Sequence, residues 1–121
     1  MFSYVQGFTQ TKSETLTYIN DMLNTYICEE CYYFERKGYF YNNTGEDIVE
    51  IWNLKKARFE IEKVDMGLYY AYFVVQIGET RRVFQVPQGV PFDEYRNANR
   101  LKNAMNRLVD FVIKEKDPFD D

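Results

Sequence analysis

Histidine is absent from these 121 residues, and serine occurs only as Ser3 and Ser13. The side chain most often used as a general base, and most often bound to metal, is therefore missing. Neither serine lies in a strained strand-to-helix elbow, so nucleophilic catalysis is poorly supplied. Cysteine is confined to Cys28-Glu29-Glu30-Cys31. A tetrahedral zinc site needs four ligands, and two thiols without histidine fall short. Redox use needs a thiolate favoured by a cation or a helix N-terminus, whereas this pair follows a predicted helix and flanks two glutamates. It reads as two small hydrophobes at a helix-to-strand junction, with no metal, no cofactor and no disulfide dependence expected.

Long apolar runs are also missing. Nothing approaches the twenty or so residues a membrane-spanning helix requires, and no apolar stretch follows a basic N-terminal segment. The expectation is a cytoplasmic chain without a signal peptide. Alanine is scarce, at four residues, while Asn, Tyr, Phe, Ile and Lys are frequent. That usage fits an AT-rich coding genome, as in a low-GC bacterium or one of its phages.

What is present is aromatic and acidic. Eleven Tyr and ten Phe bring the aromatic fraction to 18%. This exceeds what a small core holds, so several rings are expected at the surface, where tyrosine is favoured at interfaces. Net charge is −4, which repels phosphate backbones at long range and favours a basic protein partner over nucleic acid.

The pattern is α+β: an antiparallel meander with an N-terminal and a C-terminal helix packed on it. Its centre is Lys55 to Val86. Leu68 to Ile77 is an uncharged apolar run, read as a strand buried on both faces. Ala57, Phe59 and Ile61 alternate with Arg58, Glu60 and Glu62 on one side of it, and Arg81 to Val86 returns across Gly78-Glu79-Thr80 on the other. Met1 to Gln6 is a candidate edge strand. Thr11 and Glu14 form a capping box ahead of a helix with Leu16, Ile19, Leu23 and Tyr26 inside, and Thr17, Asn20, Asp21 and Asn24 outside. Strands follow at Tyr32–Arg36, Tyr39–Tyr41 and Ile48–Leu54, separated by Gly38 and by the turn Asn42-Asn43-Thr44-Gly45. Pro87 to Pro91 breaks the sheet. The last helix runs from about Phe92 to Lys116, with Tyr95, Ala98, Leu101, Met105, Leu108 and Val112 inside and Arg96, Arg100, Arg107 and Lys114 outside. Residues 1–116 form one domain and 117–121 an acidic tail. The expected sheet core is Phe59, Ile61, Tyr70, Tyr72, Val74 and Phe84, beneath Leu101, Met105 and Leu108.

Two surfaces are candidates for binding. Strand alternation cannot place Tyr32, Tyr33, Phe34, Tyr39, Phe40 and Tyr41 all inside. The rings facing away from Cys31 and Glu35, or those on the other side of the Gly38 bend, are expected outside, with Tyr32, Tyr39 and Tyr41 foremost, beside the acidic loop Glu46-Asp47, as an interface for a basic protein. The alternative is that both aromatic faces are buried, one under each helix. Secondary to it are Arg96, Arg100 and Arg107, which with surface aromatics could form a stacking platform for single-stranded nucleic acid. Glu46, Asp47 and Glu50 lack the alternating ligands of a calcium loop and read as a solvated cluster.

The Tyr/Phe-rich sheet around Tyr69–Ile77, the short acidic chain, the missing catalytic residues and the AT-rich usage together resemble small phage-encoded inhibitors of bacterial defence systems. The resemblance is of type, carried by composition over the whole chain. It implies a non-enzymatic protein that occludes a partner such as an effector nuclease or a Sir2-type NADase, in the host cytoplasm. Secretion chaperones and toxin-immunity proteins share the type.

Overall fold

The computed structural model describes residues 11–84 and 89–115, with the backbone alone at 81–84. The expected edge strand Met1–Gln6, the side chains of Arg81, Arg82 and Phe84, and the tail 117–121 lie outside the described residues.

The order is α1 (Lys12–Tyr26), β1 (Tyr32–Arg36), β2 (Tyr39–Asn43), β3 (Ile48–Asn53), a 3-10 turn (Leu54–Lys56), β4 (Ala57–Lys63), β5 (Tyr69–Ile77), β6 (Thr80–Phe84), β7 (Val90–Phe92) and α2 (Tyr95–Lys114). Thr11 accepts from the Glu14 amide while the Glu14 carboxylate accepts from the Thr11 amide, so the capping box starts α1 as its sequence predicts.

The strands form two antiparallel meanders, β1-β2-β3 and β4-β5-β6, with β7 also on β5. Lys37 and Gly38, both at positive φ, make the tight turn between β1 and β2, a geometry that matches the twist of the strands it joins. Since β4 lies along Tyr69–Val75, β6 and β7 must share the other edge of β5, opposite Phe73–Ile77 and Tyr69–Ala71 respectively. The chain therefore rejoins the sheet at Val90–Phe92 instead of leaving it for good at Pro87, and α2 starts later than the sequence suggests. Pro91 is tolerated because β7 is an edge strand and needs no second partner.

α1 packs on β1, α2 on β4, β5, β7 and the 3-10 turn, and the helices on each other. Beneath them an aromatic chain crosses from sheet to sheet. Tyr33 stacks on Phe40, Phe40 on Trp52 and Trp52 on Phe73, while Phe59 meets Trp52 edge-on. These rings join Ile19, Leu23, Leu54, Leu101, Met105, Leu108 and Val112 in the main core.

Three expectations about faces are corrected. Phe59 pairs with Phe73 and Ile61 with Ala71, so the helix-covered face of β5 is Ala71, Phe73 and Val75. Tyr70, Tyr72 and Val74 point the other way: Tyr72 and Val74 are buried outside the core cluster, and Tyr70 is half-buried. A shift of one residue in register exchanges the two faces, and a run apolar on both sides does not fix that choice. The buried stripe of α1 is Thr15, Ile19, Met22 and Leu23, leaving Tyr26 largely exposed. Thr15 is tolerated there because its hydroxyl donates to the Thr11 carbonyl at 2.9 Å. On α2, Val109 joins the buried stripe and Tyr95 leaves it.

Candidate functional site: the outer face of β1-β2-β3

Residues paired across a sheet share a face. Tyr33, Phe40 and Trp52 point under the helices. The outer face therefore consists of three cross-strand rows: Tyr32, Asn43 and Ile48; Phe34, Tyr41 and Glu50; Arg36, Tyr39 and Asn53. A bulge in β3 opposite Phe40 and Tyr41 absorbs Ile51, which packs partly against the core, and keeps Glu50 on the outer face.

The outer rings are organised. Phe34 stacks on Tyr32 at 6.1 Å and on Tyr41 at 5.1 Å, and the Arg36 guanidinium lies 5.8 Å above the Phe34 ring. Tyr32 is 59% exposed and Ile48 62%; Phe34, Tyr39 and Tyr41 are half-buried. The sheet brings Tyr32, Tyr39 and Tyr41 together on one face: alternation about Cys31 and Glu35 pointed to Tyr32, the segment beyond the Gly38 bend to Tyr39 and Tyr41, and the pairing of β1 with β2 joins them.

The acidic loop closes one end. The Thr44 hydroxyl accepts from the Glu46 and Asp47 amides, the Asp47 carbonyl accepts from the Thr44 amide, and Asn43 accepts from the Gly45 amide. These bonds fix the turn and leave Glu46 and Asp47 exposed beside the row of Tyr32 and Ile48. At the opposite end stand Arg36, Lys37 and Lys55, with the Lys55 side chain lying against Gly38. The face is thus acidic at its hairpin tip and basic at the β1–β2 turn.

Arg96, Arg100 and Arg107 are not part of this surface. Arg96 and Arg100 are exposed on α2, in the helical layer, and Arg107 lies 5.5 Å over the Phe111 ring.

Support beneath the face comes from polar contacts that sequence reasoning missed. Asn20 and Asn24, placed by pattern on the outside of α1, turn toward β1. Asn20 accepts from the Tyr33 amide and donates to the Tyr33 carbonyl, both at 2.7 Å. Asn24 donates to the carbonyls of Cys28 and Cys31. Asn106 of α2 repeats the Asn20 arrangement on β4, accepting from the Phe59 amide at 2.9 Å and donating to its carbonyl at 3.0 Å. An asparagine amide offers one donor and one acceptor side by side and so substitutes for a neighbouring strand.

Lys12, in the first turn of α1, pairs with Glu35 of β1 and with Glu115 beyond α2. Burial alone would lower its pKa, but the hydrogen bonds to Glu115 and Glu35 outweigh it and raise the ammonium above 10.5. Lys12, Leu16, Asn20, Tyr32 and Glu35 line an open cleft of about 540 Å³ between α1 and β1. Its main charges already neutralise each other.

Cys28 and Cys31 are joined in a disulfide, which corrects the expectation of two unlinked hydrophobes. The helix end at Ile27 and the turn before β1 bring their Cα atoms to 5.4 Å, within bridging distance. The spacing was visible in sequence, but the turn geometry was not. Among the described residues no group of His, Cys, Asp and Glu is arranged to hold a metal ion, and no helix is long and apolar enough to cross a membrane.

Comparison with family models, with curated proteins and with solved structures gives no match for this chain.

Proposed function

We propose that this chain is a non-enzymatic protein-binding module that occludes its partner, and that the outer face of β1-β2-β3 is its recognition surface. The observation that carries this reading is the outward array of Tyr32, Phe34, Tyr39 and Tyr41 on a sheet whose other face is already buried by α1 and the aromatic core. Mutually stacked rings on a strand pair are rigid and half exposed, so ordering them on binding costs little entropy. Glu46, Asp47 and Glu50 at the hairpin end, with the net charge of −4, favour a partner that is basic there. An inhibitor of a bacterial defence protein, an effector nuclease or a Sir2-type NADase, is the form of this function that chain type and composition favour. A secretion chaperone or toxin-immunity protein would use the same surface.

Affinity capture from a low-GC bacterial lysate tests the reading. The captured protein is expected to be lost with Tyr39→Ala/Tyr41→Ala, provided that variant melts like the parent, and kept with Arg96→Ala/Arg100→Ala. The opposite pattern, or salt-sensitive binding of random single-stranded oligonucleotides, would transfer the function to the α2 arginines.

A further inference from the structure

The strand edges of this fold are not treated alike. Asn20 seals the outer edge of β1 and Asn106 that of β4, each with a donor and an acceptor. The remaining edge of β1-β2-β3 is β3, and among the described residues nothing pairs with it beyond β2. Backbone direction follows from alternation. Tyr33 turns its N–H and C=O to Asn20, so Tyr32, Phe34 and Arg36 turn theirs to β2. Asn43, Tyr41 and Tyr39 then face β1, and Phe40 and Asn42 face β3. Ile48, opposite Asn43, and Asn53, opposite Tyr39, are left with their peptide groups directed out of the sheet.

Along this open edge stand Ile48, 62% exposed, and Val49, 49% exposed, bracketed by the exposed carboxylates Glu46, Asp47 and Glu50. We infer that β3 accepts an extended segment of a partner protein as an added strand, and that this segment alternates β-branched apolar residues with Lys or Arg. The inference rests on the reading of the chain as a protein-binding module and names the chemistry of the partner. Main-chain hydrogen bonds supply the attachment, and alternate side chains supply the choice. Opposite Val49, which shares the inner face with Asn42, the incoming strand needs apolar groups. On the outer face, where Ile48 and Glu50 stand beside the loop carrying Glu46 and Asp47, it needs Lys or Arg, whose charge meets the carboxylates while the alkyl stem covers Ile48. A second copy of the chain is a poor occupant, since pairing two β3 edges gathers two sets of these carboxylates in one patch.

Two synthetic peptides of about seven residues, a usual strand length, test this: one alternating valine with lysine, the other valine with glutamate. Trp52, the one tryptophan of the sequence, lies on β3 and reports binding by fluorescence, while amide NMR locates it. The lysine peptide is expected to bind about tenfold tighter than the glutamate peptide and to slow exchange at the Ile48 and Asn53 amides. Glu50→Lys should reverse or abolish that preference. Ile48→Pro, which removes an outward N–H without touching a bond to β2, should weaken binding of the lysine peptide; if it fails to fold, Glu50→Lys decides. Absence of binding, equal affinity for both peptides, shifts confined to Tyr32, Phe34 and Tyr41, or self-association that protects Ile48 would each overturn strand addition. Such a failure, with the partner still lost in Tyr39→Ala/Tyr41→Ala, would leave the aromatic-face reading standing.

Discussion

Asn106→Ala is the most informative stability experiment. In the native chain this side chain satisfies both peptide groups of Phe59 at 2.9 and 3.0 Å, in a half-buried setting. Each such bond contributes about 0.5–1.5 kcal/mol net, and a buried group left unpaired costs more. Water can reach a half-buried site, which removes the larger penalty, so a loss of about 2 kcal/mol is expected for the pair. For a domain of this size that lowers the melting temperature by about 8 °C. Urea unfolding followed by Trp52 fluorescence measures the energy, and hydrogen exchange at the Phe59 amide gives the location. Asn106→Asp is the sharper control. It keeps an acceptor for the Phe59 N–H but loses the donor and sets a carboxylate against the Phe59 carbonyl, so it should destabilise at least as much as alanine. An alanine variant within about 0.5 kcal/mol of the parent, with Phe59 exchange unchanged, would refute the idea that this side chain substitutes for a strand.

Leu108, fully buried, should lose about 2–5 kcal/mol on replacement by alanine through a cavity under α2; an unchanged melting temperature would mean that α2 does not dock as described. Cys28→Ser/Cys31→Ser, or reduction of the parent, should cost about 2 kcal/mol, the chain-entropy value for so short a loop; equal urea midpoints with and without reductant would count against the bridge. Burial raises the Tyr33 phenol above 10.0, so folding favours its protonated form, and the associated stability is complete below the unfolded pKa of about 10 and is lost as pH rises through the folded value. Tyr33→Phe should therefore match the parent at neutral pH and lose less stability than the parent as the solution is made alkaline, which urea midpoints across that range would show.

Much of the fold was legible because its signals are local. The Thr11–Glu14 box, the turns signalled by Gly38 and by Asn42–Gly45, and the 3.6-residue stripe of α2 each depend on neighbours in sequence, although β2 runs on through Asn42 and Asn43 before its turn begins. The faces of β5 were not legible. Tyr70, Tyr72 and Val74 are as apolar as Ala71, Phe73 and Val75, so periodicity gives no preference, and only the pairing of Phe59 with Phe73 decides. The asparagines were illegible for a related reason. Asn20, Asn24 and Asn106 are polar, and a helix pattern assigns polar residues to solvent, although a strand edge alongside a helix presents peptide groups that only a polar side chain can satisfy. The outer aromatic face was legible because too many rings alternate along two short strands for one side to hold them. The open edge of β3 was not, since it is defined by which other edges are sealed.

The carboxylates around β3 bear on this open edge in two ways. An unsealed strand carrying Ile48 and Val49 is a liability, because any chain with free peptide groups can add to it. Glu46, Asp47 and Glu50 limit that risk by charge instead of by coverage: they repel another copy of a chain whose net charge is −4 and attract a basic segment. Specificity is a difference between two such affinities, and the same three residues set both terms. An asparagine clamp like those on β1 and β4 would have protected β3 more completely, but it would have closed the edge to every partner. Among the described residues, helix asparagines seal the edges of β1 and β4 whereas charge alone guards that of β3, and the β3 edge adjoins the exposed aromatic face.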